Sequence, residues 1–299
     1  MIFTIAIPTF NNADTIEATL KSCINQKFDD TFEVLVVNNN STDNTEKILS
    51  RYDKKIRIIK NDETVSMYQN HNICLQKAKG DYVIFCHSDD QLLPDALKKY
   101  HDILKKRNYP ERYVLWGRSM FRDYYYSWKA GGYLLNQVAS GINSLNAFQF
   151  GGLTPSGTCY SRLSLLSIGG FTIVNHKIAP SDLVSLWKFS INYFEFEMTD
   201  RIFFIRESAS TASGQDFNLL NIKKALLNAI QCLFKELTID QQAAILNHFQ
   251  HSEFYSPRIF NILISLHLVD KKIIRRKTVK YLLKHPFAYR RKEVLKLLF

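Results

Sequence analysis

The first 79 residues contain no glycine, although the whole chain of 299 residues has 11. A phosphate-cradling loop after the first strand needs glycine where the backbone closes on the phosphates. A P-loop or a GxGxxG dinucleotide fingerprint is therefore excluded at the N-terminus, and any nucleotide is held by side chains, by ordinary backbone or through a metal. Cysteine is scarce and scattered, at 23, 74, 86, 159 and 232, with no CxxC pair. That odd, dispersed set fits neither a disulfide framework nor a zinc site. It fits buried small apolar residues in a reducing compartment. No apolar run approaches the roughly 20 residues of a spanning helix. Residues 1–8 lack the basic stretch of a secretion signal and read as a first strand, so a cytoplasmic location is expected. Internal repeats and low-complexity segments are also absent.

What is present is ordinary for a globular protein: 46% apolar and 22% charged residues exclude disorder. At roughly 150 residues per domain, the length suggests one large domain or two ordinary ones. The net charge of +11 is unevenly placed. Residues 271–299 hold eleven Lys/Arg against one acid, Glu293, which leaves residues 1–270 at +1.

The first 106 residues alternate in character. Buried-strand runs at 3–7, 32–37, 56–59 and 82–86 are separated by helical patterns at 14–25, 43–52, 67–78 and 94–106. Such alternation predicts a parallel, doubly wound sheet, in which ligands bind beyond the carboxyl ends of the strands. Three polar clusters stand there: Pro8-Thr-Phe-Asn11, Asn38-Asn-Asn-Ser41 and His87-Ser-Asp-Asp90. The adjacent carboxylates Asp89 and Asp90 suit Mg²⁺ or Mn²⁺ bridging a diphosphate, or alternatively cap the helix that follows. From 116 to 213 the pattern is irregular and rich in aromatics, including Tyr124-Tyr-Tyr126, Trp128 and Gly169-Gly-Phe171, as suits a substrate-binding half. From 217 onward helical periodicity dominates.

Ile5-Ala-Ile-Pro-Thr-Phe-Asn11, Val34-Leu-Val-Val-Asn-Asn-Asn-Ser-Thr-Asp43 and Ala78-Lys-Gly-Asp-Tyr-Val-Ile-Phe-Cys-His-Ser-Asp-Asp90 follow in order. The set resembles the family 2 glycosyltransferases of bacterial surface-polysaccharide type, strongly over residues 1–100 and more weakly at Gly169-Gly-Phe171 and Ser181-Asp182. The resemblance implies a GT-A fold, an α/β doubly wound mixed sheet. A GT-A domain is expected over 1–214, with a donor half to about 110 and an acceptor half to 214, followed by a helical, basic extension over 215–299. The implied reaction is inverting transfer from a nucleotide-sugar, a UDP-sugar foremost, to a lipid-linked saccharide, as in O-antigen or capsule synthesis, with Mn²⁺ or Mg²⁺ as cofactor.

By position, the resemblance makes Pro8 and Thr9 the lining of base and ribose. Asn39 meets the pyrimidine N3–H, and Gln69 stands near base or phosphates. Asp89 becomes the metal ligand, with Asp90 beside it, and Asp182 the general base. Asn11, Asn38, His87 and Ser88 complete the donor-binding loops. The chain departs from the family pattern where Asn38 and Asn39 replace two acids, Gln69 an arginine, His87 the first acid of DxD, and Ser181 a glutamate. His87 either bonds a ribose hydroxyl or packs, ahead of ligating metal. Asp182 either serves as base, caps the helix that begins there, or does both. Trp116, Trp128 and Trp187 either stack on sugars or pack in the core.

The basic end mixes its cations with apolar residues at 287, 294, 295 and 298, which share a helical face. That suits peripheral attachment to the anionic cytoplasmic face of an inner membrane, or a solvated basic helix docked on the body. Nucleic acid is not expected as a partner, because no recognised binding motif accompanies the charge. A catalytically silent nucleotide-sugar- or lipid-binding protein of the same fold, and a nucleotidyltransferase, are the competing functional classes.

Overall fold

The computed structural model describes residues 1–120, 137–148, 154–174, 181–206, 219–286, 288 and 292–298. Tyr124-Tyr-Tyr126, Trp128, Phe287, Tyr289, Arg290 and Arg291 lie outside the described residues.

Four parallel strands form the N-terminal half of the sheet: β1 (Phe3–Thr9), β2 (Phe32–Asn38), β3 (Arg57–Lys60) and β4 (Tyr82–Phe85). β1 lies between β2 and β4, and β3 flanks β2. β1 and β4 are buried at every position, which is why they read as unbroken apolar runs. Side chains alternate between the two faces of the sheet. Phe3, Ile5, Ile7, Val34 and Val36 join one apolar cluster, together with Leu20 of α1 (Ile16–Ile24) and Tyr100 of α4 (Ala96–Lys106). Ala6, Leu35 and Val37 join the other, with Cys74 and Leu75 of α3 (Met67–Lys77). α2 (Thr45–Leu49) continues into a short 3₁₀ turn, Ser50–Tyr52.

Beyond β4 the sheet becomes mixed. The further strands are β5 (Asp90–Leu92), β6 (Tyr113–Ser119), β7 (Val138–Ser140), β8 (Thr158–Ser161) and β9 (Glu195–Arg206). The order is β3-β2-β1-β4-β8-β6-β9-β5, with β7 also on β9. β8 runs antiparallel to both β4 and β6, whereas β9 runs parallel to β6. The parallel strands read from the N-terminal residues are β1–β4, and the later strands complete the mixed sheet that the resemblance implies. The stretch read as irregular contains β9, a 12-residue strand. Gly157, at the entry to β8, is forced by geometry. Its φ is +68° and a Cβ would lie 2.2 Å from the Phe204 ring, while its N–H donates to Phe85 O at 2.8 Å.

The remaining helices are α5 (Arg162–Ser167), α6 (Ser181–Ile191), α7 (Leu219–Glu236), α8 (Ile239–His251), α9 (Pro257–Ser265), α10 (Lys271–Lys284) and α11 (Lys292–Leu298). They are continuous with the core. Trp187 of α6 meets Phe249 of α8 edge-on at 5.0 Å, and Phe249 stacks on Phe254 at 4.1 Å. Thr238 and Gln241 close a capping box at the start of α8. Among the described residues no helix is long and apolar enough to cross a membrane.

The basic end is docked by its apolar side. Ile274 and Leu297 belong to the main cluster, and Val294 is fully buried. Of the helical face read from the sequence, Val294 is buried and Leu298 is half-buried. Leu295 remains 40% exposed. The outer side of α10 keeps Lys272, Arg275, Arg276, Lys280 and Lys284 exposed around Val279 and Leu283. Leu297→Ala should cost about 2–5 kcal/mol, the range for a truncated core leucine, whereas Leu295→Ala should stay within about 0.5 kcal/mol. Denaturant unfolding of the two variants checks this, and equal small losses would mean that α11 does not dock.

Candidate functional site

Three loops leave the same edge of the sheet, at the carboxyl ends of β1, β2 and β4, and side chains lace them together. Asn11 sits at φ 51°, a left-handed conformation that asparagine tolerates without glycine. Its N–H donates to Ser41 Oγ at 3.0 Å, and its Oδ1 accepts from Thr42 N–H at 2.8 Å. Asn38 Oδ1 accepts from Ser41 N–H at 3.0 Å. Asn12 joins the third loop, its Oδ1 accepting from Ser88 Oγ at 2.7 Å. The Thr15 hydroxyl donates to Ser88 O at 2.8 Å. Thr9 is buried at the end of β1, and its carbonyl accepts from Asn39 N–H at 2.8 Å. Asn11 and Ser88 thus hold loop to loop while Asn38 closes its own loop, which their spacing in the sequence does not reveal.

Asn39 bonds to residues 61–65. Its Oδ1 accepts from Val65 N–H and from Asn61 Nδ2, both at 2.9 Å, while its own amide donates to Val65 O at 2.8 Å. The oxygen expected to meet a pyrimidine N3–H has two donors within the protein, and the side chain clamps residues 61–65. Asn70 of α3 extends this amide network. Its Oδ1 accepts from Asn61 Nδ2 at 2.9 Å, and its Nδ2 donates to Val37 O at 3.2 Å. Gln69, one residue earlier, is exposed.

The buried face of α3 carries residues that sequence reasoning underrated. His71 is 1% exposed. It lies against the rings of Tyr68, Phe85 and Phe171 at 5.2, 4.9 and 6.0 Å. Burial pushes its pKa down to about 4, so the ring is neutral at ordinary pH. Nδ1 lies 2.8 Å from Met67 O, and Nε2 lies 3.1 Å from His87 Nε2. Asn72 brackets Phe171, accepting from its N–H at 2.8 Å and donating to its carbonyl at 2.9 Å. That bracket explains Gly170 in the Gly169-Gly-Phe171 motif: φ is +69°, and a Cβ would fall 2.4 Å from Asn72 Oδ1. The available signal was three successive polar residues, Asn70-His-Asn72, inside a helix that covers a sheet.

His87, Asp89 and Asp90 follow β4. The His87 N–H donates to Ser156 Oγ at 3.0 Å, and its carbonyl accepts from Asp90 N–H at 3.0 Å. These two bonds turn the chain so that each of the three side chains offers a ligand atom within 4.8 Å of the others. His87 and Asp89 are half-buried and Asp90 is fully buried. One imidazole nitrogen with two carboxylate oxygens is a donor set that fits a divalent cation. His87 therefore stands among the possible ligands, and not only as a ribose contact or packing residue.

Asp182 lies in the first turn of α6, partly exposed. It is near enough to Tyr160 for its charge to help raise that phenol's pKa, behind the larger effect of burial. Tyr160 meets Phe85, the last residue of β4, edge-on at 5.8 Å. Asp182 is thereby tied to the aromatic layer beneath the loops. Trp116 and Trp187 are buried core residues, so neither is a sugar-stacking surface. Four of the five cysteines are buried and all are free thiols, as expected.

Comparison with known proteins fits this geometry. The family model Glycosyl transferase family 2 matches residues 4–118. Over 102 residues the chain is 36% identical to the poly(ribitol-phosphate) beta-N-acetylglucosaminyltransferase TarS of Staphylococcus aureus, a match covering 33% of this chain and 18% of that protein. The chain spans less than half the length of the curated relatives it matches. The crystal structure of S. aureus TarS 1-349 in complex with UDP-GlcNAc superposes with a TM-score of 0.66 at 18% identity, covering 100% of this chain and 89% of the other. The mannosyltransferase PcManGT from Pyrobaculum calidifontis in complex with GDP-Man and Mn2+ superposes with a TM-score of 0.58 at 16% identity, covering 99% and 82%. Residues 4–118 thus match the glycosyl transferase family 2 model, and the chain as a whole has the GT-A fold of these solved structures.

Proposed function

We propose that this protein transfers a sugar, with inversion, from a UDP-sugar to a hydroxyl of a lipid-linked saccharide during synthesis of a bacterial surface polysaccharide. The observation that carries the reading is the convergence of three laced strand-end loops on the His87, Asp89 and Asp90 cluster. The family match supports the reaction type. A structural neighbour holding UDP-GlcNAc supports the donor class, and relatives named for poly(ribitol-phosphate) glycosylation support a cell-envelope polymer as the setting.

In this reading Pro8 and Thr9 line the base and ribose, and the amide network of Asn39, Asn61 and Asn70 frames the base pocket by ordering residues 61–65. Gln69, exposed on α3, faces the donor side. Asp89 and Asp90, with His87, would hold Mn²⁺ or Mg²⁺, which when bound neutralises the departing nucleoside diphosphate. Asp182 takes the proton of the acceptor hydroxyl as that oxygen attacks the anomeric carbon and the bond to the diphosphate breaks. The outer side of α10 provides the cations that meet an anionic cytoplasmic membrane surface, where each well-placed charge contributes about 1 kcal/mol. Ile274 of the same helix is spent on docking, and the electrostatic part of the attachment is screened within about 8–10 Å at physiological salt.

Two expected outcomes test these assignments. Asp182→Asn keeps size and capping ability but loses basicity. Transfer should fall by roughly 10²-fold or more while UDP binding persists. Joint loss of binding and transfer would make Asp182 a structural cap. Replacing Lys272, Arg276 and Lys280 together with Gln should weaken flotation on anionic vesicles by up to about 3 kcal/mol and leave transfer to a soluble acceptor unchanged. Unchanged flotation, or equal binding to neutral vesicles, would remove the membrane role.

A further inference from the structure

The geometry points to His71 as a positioning residue that fixes His87 in the tautomer able to ligate a cation through Nδ1, giving the site a mixed nitrogen and oxygen donor set that prefers Mn²⁺ or Co²⁺ to Mg²⁺. This rests on reading the end of β4 as a cation site, and goes beyond it by assigning the ligating atom and the ion class.

A backbone carbonyl can only accept, so the 2.8 Å contact with Met67 O puts the hydrogen of His71 on Nδ1. His71 is 1% exposed among the rings of Tyr68, Phe85, His87 and Phe171, where a second proton would be costly. Its Nε2 then carries the lone pair. Across 3.1 Å, with the two rings at 87°, His87 Nε2 must be the donor. A neutral His87 that carries hydrogen on Nε2 has its lone pair on Nδ1. Nδ1 is then the nitrogen with the chemistry of a ligand, and a ring nitrogen of His87 lies within 4.8 Å of carboxylate oxygens of Asp89 and Asp90.

The pattern is that of a ligating histidine oriented by a hydrogen bond from its other ring nitrogen, here to a second imidazole in place of a carboxylate or carbonyl. A buried imidazole in an otherwise aromatic pocket is costly unless both nitrogens are bonded, and here both are. Phenylalanine would fill the same pocket, so packing alone does not call for histidine. An imidazole donor shifts the balance toward first-row transition ions, whereas Mg²⁺ favours an all-oxygen shell with retained waters.

Two measurements on the full chain test this. Long-range ¹H–¹⁵N spectra of the metal-free protein should show His71 with its hydrogen on Nδ1 and His87 with its hydrogen on Nε2. A spectrum with the hydrogen of His87 on Nδ1 overturns the proposal without any variant. Separately, MnCl₂ is titrated by electron paramagnetic resonance, alone and with UDP, with MgCl₂ as competitor. The wild type should hold Mn²⁺ at least about tenfold more tightly than Mg²⁺. His87→Ala should lose about 10- to 100-fold in Mn²⁺ affinity with little change for Mg²⁺, and His71→Phe about tenfold, the scale of lost ligand orientation. Unchanged Mn²⁺ affinity in His87→Ala overturns the inference and leaves the cation site on the two carboxylates. A wild type that binds neither ion, with or without UDP, overturns the cation-site reading itself.

Discussion

The pairing of β1 between β2 and β4 is the constraint on which the rest of the structure depends. Parallel register places Thr9 opposite Asn38, and Ala6 opposite Phe85, so the chain leaves all three strands at one edge of the sheet. The polar residues that follow β1, β2 and β4 are thereby brought to one end of the sheet. The apolar residues of those strands enforce the register, because a one-residue slip would turn the alternating clusters of the two faces inside out.

Without glycine, the loops at that edge cannot fold their backbone around a phosphate, and they are shaped by short polar side chains instead. Asparagine does much of this work. Asn11 and Asn40 supply left-handed conformations at φ 51° and 57°, and Asn38, Asn39, Asn61 and Asn70 supply paired donors and acceptors. A carboxylate at 39 could not donate to Val65 O, so the amide there is matched to its neighbours and is not a neutralised copy of an acid. The same economy appears under the third loop. The His71 to His87 contact and the Asn72 bracket on Phe171 join α3 to β4 and to the Gly169-Gly-Phe171 turn through buried polar bonds.

The N-terminal half of the fold was legible in the residues because its signals are local: apolar runs for β1, β2 and β4, and periodic helices between them. The site loops were legible as polar clusters after strands. What the clusters do was less so. The donors to Asn39 come from residues 61–65, and the partner of His87 comes from the opposite side of a helix, so neither is encoded by neighbours in sequence. β9 was missed because Glu195–Arg206 mixes charges into a strand that is only partly covered. The basic end left two readings open for a related reason. An amphipathic helix looks the same in sequence whether its apolar side meets lipid or protein, and the structure shows Ile274, Val294 and Leu297 packed on the body.

The account centres on a donor site built by these loops around a divalent cation. The most direct measurement is release of nucleoside diphosphate from a panel of UDP-, dTDP- and GDP-sugars, with Mn²⁺ and after chelation, for the wild type and Asp89→Asn. The account predicts UDP released from at least one UDP-sugar with Mn²⁺, and loss of that release on chelation and in the folded Asp89→Asn protein. Release that survives both chelation and the substitution would contradict the cation site. Binding of UDP with no release from any donor would instead mark a silent nucleotide-sugar-binding protein on the same fold.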